Sequence, residues 1–298
     1  MNPREAGLLL LTCPFGEKNR PVLTMAQFRT LTQRMTRMER PNEDRELTAR
    51  DLLSLGYSRD MAARILALLG DQKALCDYVE AGARQDCYPL TRIHGLYPRQ
   101  LLHRLGAESP GCLWIKGDIS LLDEPKLALV GSRDLEPENR RFAREVGRQA
   151  ALQGYVLVSG NARGADRTAQ DACLEWGGSV ISIVADELTA QPLAVNMLYI
   201  SEEGFAQPFS AQRALSRNRL IHALAEKTFV AQCSLHKGGT WDGTVRNLRH
   251  RWSPVFVFAD GRPATQALRE LGAEAVSRED LSGLSNLTAS EQRLPGFG

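Results

Sequence analysis

No run of about 18 or more apolar residues occurs in the 298-residue sequence, so nothing in it reads as a membrane span. The opening Met1-Asn2-Pro3-Arg4-Glu5, followed by a brief leucine run, lacks the form of a secretory signal, and a cytoplasmic location is expected. Cysteine is sparse: Cys13, Cys76, Cys87, Cys112, Cys173 and Cys233 stand singly, with no C-x-x-C pair and no histidine at ligand spacing. This argues against a disulfide framework and a structural zinc site, and predicts buried, reduced thiols and no metal. Nucleotide signatures are also missing. Gly131 is not followed by the other glycines of G-x-G-x-x-G, and the Gly160–Gly164 gap lacks a Gly-Lys-Ser/Thr ending, which argues against a dinucleotide cofactor and ATP hydrolysis. No cofactor is expected.

A chain of this length can bury a sizeable core, and its length suggests about two domains. Residues 1–86 read as a small helical domain. Thr24, Thr48, Ser58 and Asp71 stand as helix caps, and Phe28, Leu31, Met35 and Met38 follow helical spacing. Pro41 and the charged run from Asn42 to Glu46 break that pattern. Residues 87–125 form a connecting segment with a short strand-like run at Cys112–Ile115. From Lys126 to about residue 283 the pattern alternates between strand and helix, and 284–298 reads as a tail. Leu127–Val130, Tyr155–Val158, Val180–Val184, Met197–Ile200, Phe229–Ala231 and Val255–Phe258 are short, near-continuous apolar runs. Strands covered on both faces need that composition. Pro137 can open the helix after the first of these strands, and Ala165, Ala169, Ala172 and Trp176 mark the next. The fold class is therefore α/β, a doubly wound, mostly parallel sheet, with ligands expected at the carboxyl ends of strands near the switch point.

Three strand-to-helix junctions carry candidate chemistry: Gly131-Ser132-Arg133, Ser159-Gly160-Asn161-Ala162-Arg163-Gly164-Ala165-Asp166, and Lys237-Gly238-Gly239-Thr240. Each supplies glycine for close backbone approach and a hydroxyl or cation to hold an anion. A helix starting near Thr240 would present bare amides beside Lys237, and Arg217-Asn218-Arg219 adds two guanidinium forks and an amide. Charge is uneven: residues 213–251 hold eight Lys or Arg against two acids, whereas the whole chain is only +2. A phosphate-facing surface needs such asymmetry; a solvated basic helix and a Gly-rich turn would look similar. Asp166 reads as a helix cap or a partner that orients Arg163 rather than as a base. His222 reads as a surface helix residue, and Trp241 can either stack on a base or fill the core.

Four motifs in this order, Leu129-Val130-Gly131-Ser132-Arg133, Val158 through Asp166, Ser216-Arg217-Asn218-Arg219-Leu220-Ile221 and Lys237-Gly238-Gly239-Thr240, resemble the DNA-processing protein A (DprA/Smf) family over about residues 88–260. Tyr97-Pro98, Leu101 and Leu113 through Gly117 resemble that family's lead-in to its sheet. The resemblance implies an extended Rossmann-like fold whose basic pocket binds single-stranded DNA without catalysis. It implies protection of incoming strands and loading of the RecA recombinase in natural transformation. The pocket residues so implied are Arg133, Ser159, Gly160, Arg163, Gly164, Asp166, Arg217, Asn218, Arg219, Lys237, Gly238 and Gly239, to which the junction pattern adds Gly131, Ser132 and Thr240. The family's Gly-Ile-Asp stands here as Gly164-Ala165-Asp166, its following histidine as Gln170, and its Lys-Ser-Gly as Lys237-Gly238-Gly239. No winged-helix domain is expected after the sheet, and a homodimer is left open.

Two other readings use the same pocket. The lysine-decarboxylase-like phosphoribohydrolases are similar in the glycine-rich segment, but place a catalytic glutamate three residues after Gly-Thr. Here Gly243-Thr244 leads to Asn247, which cannot exchange a proton as a carboxyl group does. A sensor that binds a small nucleotide without turning it over is the third reading.

Overall fold

Helix caps organise the N-terminal region. The computed structural model describes residues 1–17, 19–38 and 46–289, so most of the charged run after Pro41 lies outside the described residues. Helix α1 (Pro3–Thr12) opens with a reciprocal cap in which Asn2 Oδ1 accepts from Glu5 N and Glu5 Oε2 accepts from Asn2 N. It was not foreseen, because its leucines form one run instead of a spaced stripe. Thr24, Thr48 and Ser58 cap α2 (Met25–Met35), α3 (Ala49–Ser54) and α4 (Arg59–Gly70) as predicted. Asp71 stands at the N-cap of α5 (Gln72–Ala83) as predicted, but its side chain makes no capping bond because its carboxylate is taken by Arg20. Leu11, Leu23, Leu31, Leu52 and Ile65 make a small core within this region. Leu9, Leu10 and Leu75 pack instead against the sheet layer, and Phe15 and Tyr78 stack into Trp114 and Phe205. Five cysteines are buried as predicted, whereas Cys76 on α5 is exposed.

The remaining elements follow in order: β1 (Tyr88–Thr91), α6 (Arg99–Leu105), β2 (Cys112–Gly117), β3 (Lys126–Val130), α7 (Pro137–Leu152), β4 (Val156–Ser159), α8 (Ala165–Glu175), β5 (Val180–Ile183), β6 (Met197–Ser201), α9 (Ala211–Leu224), β7 (Lys227–Val230), α10 (Gly238–His250), β8 (Val255–Phe258), α11 (Pro263–Glu270) and β9 (Glu274–Val276). They build one nine-stranded sheet of order β1-β2-β6-β5-β4-β3-β7-β8-β9. Pairing from β6 through β9 is parallel, and β1 and β2 are antiparallel additions at one edge.

Alternate residues of each central strand enter different cores, as strand periodicity requires. Leu127, Leu129 and Phe229 meet Phe142 and Val146 of α7 and Ala169 of α8 on one face. Ala128, Val130 and Val230 meet Leu220 and Leu224 of α9 and Leu248 of α10 on the other. Full burial of such a side chain stabilises the fold by about 1.5–3 kcal/mol, which explains why both faces read as apolar in sequence. Leu284, at the start of the expected tail, is also fully buried and its carbonyl accepts from Lys227 Nζ.

The topology fixes where a ligand can enter. From β3 the chain moves outward through β4, β5 and β6, then returns to β7 on the opposite side of β3. The order therefore reverses beside β3, where helices diverge and leave a crevice at the strands' carboxyl ends.

Candidate nucleic-acid interface

The loop after β3 is fastened to the loop after β7. Ser132 N donates to Gln232 O at 2.9 Å, Ser132 Oγ donates to the same carbonyl at 3.2 Å, and Glu136 N donates to Gln232 Oε1 at 2.9 Å. Asn139 Nδ2 on α7 reaches Ala231 O and Asp260 Oδ2, both at 2.7 Å, and so ties the β7 and β8 ends together. On the far wall Asn218 Nδ2 donates to Gly239 O at 3.0 Å, docking α9 against the start of α10. These bonds frame a cavity of about 540 Å³ at the switch point.

Gly131, Ser132, Arg133, Asp166, Arg217, Asn218, Lys237, Gly238, Gly239 and Thr240 all line it. Arg133 and Lys237 are exposed, and neither side chain has a hydrogen bond or ion pair among the described residues. Lys237 stands at the N-cap of the thirteen-residue α10, so its charge adds to the positive end of that helix. Ten of the fifteen predicted residues thus meet in one crevice.

Arg217 is deeply placed, at 7% exposure. Its Nη2 donates to Gly160 O at 2.8 Å and lies 3.9 Å from Asp166 Oδ2, while Nε and Nη1 have no partner among the described residues. A side chain on Gly160 would overlap this guanidinium, so Arg217 can hold its present position only over a glycine. Asp166 Oδ2 accepts from Gly160 N at 3.1 Å and Ala162 N at 3.3 Å. Burial raises the Asp166 pKa, with Arg217 and the two amides opposing, and burial lowers that of Arg217, with Asp166 opposing.

A second cavity of about 330 Å³ continues from the first, sharing Arg133, Ala162, Ala214 and Arg217 with it. Gly160 and Arg163 line this extension. Arg163 is exposed at the rim and pairs with Asp134 at 2.8 Å, so Asp166 does not orient it. Gly164, at φ +91°, is the N-cap of α8, and its Cα lies too close to the carbonyls of Ser132 and Arg133 for any side chain.

Two of the predicted residues lie apart from the crevice. Ser159, the last residue of β4, is fully buried and accepts a 2.6 Å hydrogen bond from Gln170 Nε2. Arg219 lies on the opposite side of α9, where both its terminal nitrogens reach Glu202 and Nη1 also donates to Ser216 O at 2.8 Å. Positions two apart on a helix differ by about 200°, so Arg217 and Arg219 cannot share a wall.

His222 is buried, not a surface residue, and lines the crevice one turn beyond Asn218. Asn247 Nδ2 lies 3.2 Å from its Nδ1, and burial together with Arg217 pushes the imidazole down to about 3. Asn247 is itself consumed by the fold, donating to Ser253 Oγ and accepting from Ser253 N. Trp241 is 6% exposed and packs edge-on to His236, so its role is in the core. Gln232, Ser234, Leu215 and Phe209 line the two cavities without having been foreseen. For Gln232 and Ser234 the usable signal was position immediately past a strand.

Among the described residues no group of three or more His, Cys, Asp or Glu could hold a metal ion. No described helix is long and apolar enough to cross a membrane.

Residues 89–280 match the family described as DNA recombination-mediator protein A. Protein Smf of Escherichia coli is 32% identical over 153 residues, covering 48% of this chain and 40% of that protein. DNA processing protein DprA of Streptococcus pneumoniae is 28% identical over 165 residues, covering 51% and 54%. The chain thus spans about half the length of the curated relatives it matches. The crystal structure of S. pneumoniae DprA superimposes with a TM-score of 0.73 at 23% identity, over 97% of this chain and all of that one. The Helicobacter pylori protein, whose structure is described as a unique single-stranded DNA binding mode, gives 0.57 at 25% identity, over 67% of this chain and 95% of that one. With the motifs in order on a Rossmann-like sheet and the match extending across 192 of 298 residues, the chain belongs to the DNA recombination-mediator protein A family, the DprA/Smf proteins.

Proposed function

We propose that the switch-point crevice and its extension bind the backbone of single-stranded DNA, without catalysis. The observation that carries this reading is that Arg133 and Lys237, from separate loops, line one crevice without an ion pair to any carboxylate among the described residues. A chain of phosphates supplies several anions in series, and a cation at a helix N-terminus with a second one on the facing loop suits it. The amide Asn247, in the place where a phosphoribohydrolase carries its glutamate, supports a binding role over hydrolysis. The single-stranded DNA binding described for the H. pylori relative supports the choice of strand. In this reading the protein shields incoming strands in the cytoplasm and hands them to the RecA recombinase, consistent with the family's description as a recombination mediator.

The test is a gel shift with single- and double-stranded oligonucleotides across a salt series, with free nucleotides as competitors. Single strands bind preferentially, affinity falls as salt rises, and Arg133→Ala and Lys237→Ala weaken the complex. Unchanged binding in both variants, or release of free base from a nucleoside monophosphate, overturns the proposal.

A further inference from the structure

The crevice cations account for grip on a phosphate chain, but cations alone hold single strands and duplexes alike. Discrimination needs a surface that only an unpaired base can meet. Phe209 is such a surface: it is 56% exposed and lines the extension beside Arg133, Arg163 and Arg217, three cations set against the single carboxylate Asp186. No other aromatic ring stacks on it among the described residues. Trp176, also exposed, is by contrast covered by the Arg148 guanidinium at 5.1 Å.

The backbone that carries Phe209 is anchored on both sides. Arg213, 9% exposed, donates from Nη1 to the carbonyls of Gln207 and Pro208 at 2.7 Å each and of Ala185 at 2.8 Å. Its Nη2 reaches Ser201 Oγ at 3.2 Å, and Ser210 Oγ caps α9 by accepting from Arg213 N at 3.1 Å. Pro208 restricts the preceding residue's freedom further. A buried guanidinium thus fixes the lead-in to α9 against the loop after β5, and the exposed ring sits on that fixed support at the edge of a basic trough.

We propose that Phe209 is a base-stacking platform that makes the trough selective for strands with unpaired bases. The inference rests on the single-strand reading above. Every nucleobase offers a π face once unstacked, so the platform confers strand selectivity and not sequence selectivity.

The full-length chain is titrated with three probes: a 20-mer of deoxythymidine, the same strand carrying one 2-aminopurine, and a 20-mer of abasic sugar-phosphate units. Phe209→Ala lowers affinity for the base-bearing strand about fivefold to a hundredfold. It leaves the abasic strand and the salt dependence unchanged, because no charge is lost. Phe209→Trp restores affinity, and 2-aminopurine emission is quenched on binding the wild type and Phe209→Trp but not Phe209→Ala. Equal weakening for both strands, or undiminished binding by Phe209→Ala while Lys237→Ala weakens, overturns the platform and leaves the crevice reading intact. If neither Lys237→Ala nor Arg133→Ala affects any strand, the crevice reading itself falls and the platform falls with it.

Discussion

On one side of α9 the switch-point cavity of about 540 Å³ gathers Arg133, Arg217 and Lys237 against Asp134 and Asp166. On the other side a cavity of about 670 Å³ gathers Glu17, Glu108, Glu202 and Glu203 against Arg219 and Arg246. The larger one borders the N-terminal helices, and its cations are already matched, Arg219 to Glu202 and Arg246 to Glu108. Burial is the largest single influence on Arg219 and opposes its charge, but the hydrogen bonds to Glu202 together with the charges of Glu202 and Glu108 outweigh it and raise its pKa; across the helix, burial prevails and lowers that of Arg217. Volume alone favours the larger cavity. Charge left uncompensated selects the smaller one, since an incoming anion must find a cation that no carboxylate already holds.

The largest expected effect follows from Arg217. Removing it leaves Asp166 buried without its cationic neighbour, and breaking a buried pair in this way costs about 3–5 kcal/mol. Arg217→Ala should therefore shift the urea midpoint strongly and abolish oligonucleotide binding. Arg219→Ala should cost less than this, because water reaches the 17%-exposed Glu202 side chain more readily. Its folded fraction should bind oligonucleotide within twofold of wild type. Equal loss of binding in both variants would erase the distinction between the two sides of α9.

Sequence made the sheet legible for a physical reason. Strands buried on both faces cannot hide their apolar runs, and six of the nine were placed within a residue or so from the strand–helix alternation alone, with β2 read in the lead-in segment. Strand β1 escaped because Pro89 and the exposed Tyr88 disguise an edge strand that can tolerate both, and β9 is only three residues long. The loops of the crevice were legible because a parallel sheet brings all strand carboxyl ends to one rim. What the motifs did not reveal was direction. Ser159 belongs to the strand's inward alternation, and Arg219 to the helix face opposite Arg217. His222 shares a wall with Asn218 and Ile221 by helical spacing, a signal available in sequence but overlooked. Phe209 carries no motif, and only the Arg213 clamp distinguishes it from an ordinary loop aromatic.

The same contrast between compensated and uncompensated charge appears in the pH dependence of folding. His222 is held near 3 when folded against about 6.5 when unfolded, so below pH 6.5 the unfolded chain takes up the proton first. Stability from this residue is complete above pH 6.5 and is lost as pH falls toward 3, reaching about 2 kcal/mol by pH 5. Asp166 acts in the opposite sense. Its raised pKa means the folded state binds the proton first, which favours folding as pH falls toward its unfolded value of 3.8. His222→Gln can still accept from Asn247 Nδ2 while removing the titration, so urea unfolding of this variant should be flatter than wild type between pH 7 and 5. An identical slope would mean that the folded imidazole titrates as it does in the unfolded chain and that burial does not lower it.

Lys237 gives the smallest effect on folding and the sharpest separation of binding from stability. Its side chain is exposed and has no partner among the described residues, so Lys237→Ala should alter unfolding by less than about 0.5 kcal/mol. Each single-strand phosphate neutralised contributes about 0.7 to the slope of log affinity against log salt. Loss of this one cation should therefore lower the slope by about that amount, with an affinity loss below about tenfold near physiological salt. Arg246→Ala, on the larger cavity, removes a cation that Glu108 already balances and should leave the slope as it was. A slope that responds to Arg246 and ignores Lys237 would put the phosphate chain on the other side of α9, in the cavity where carboxylates are in excess.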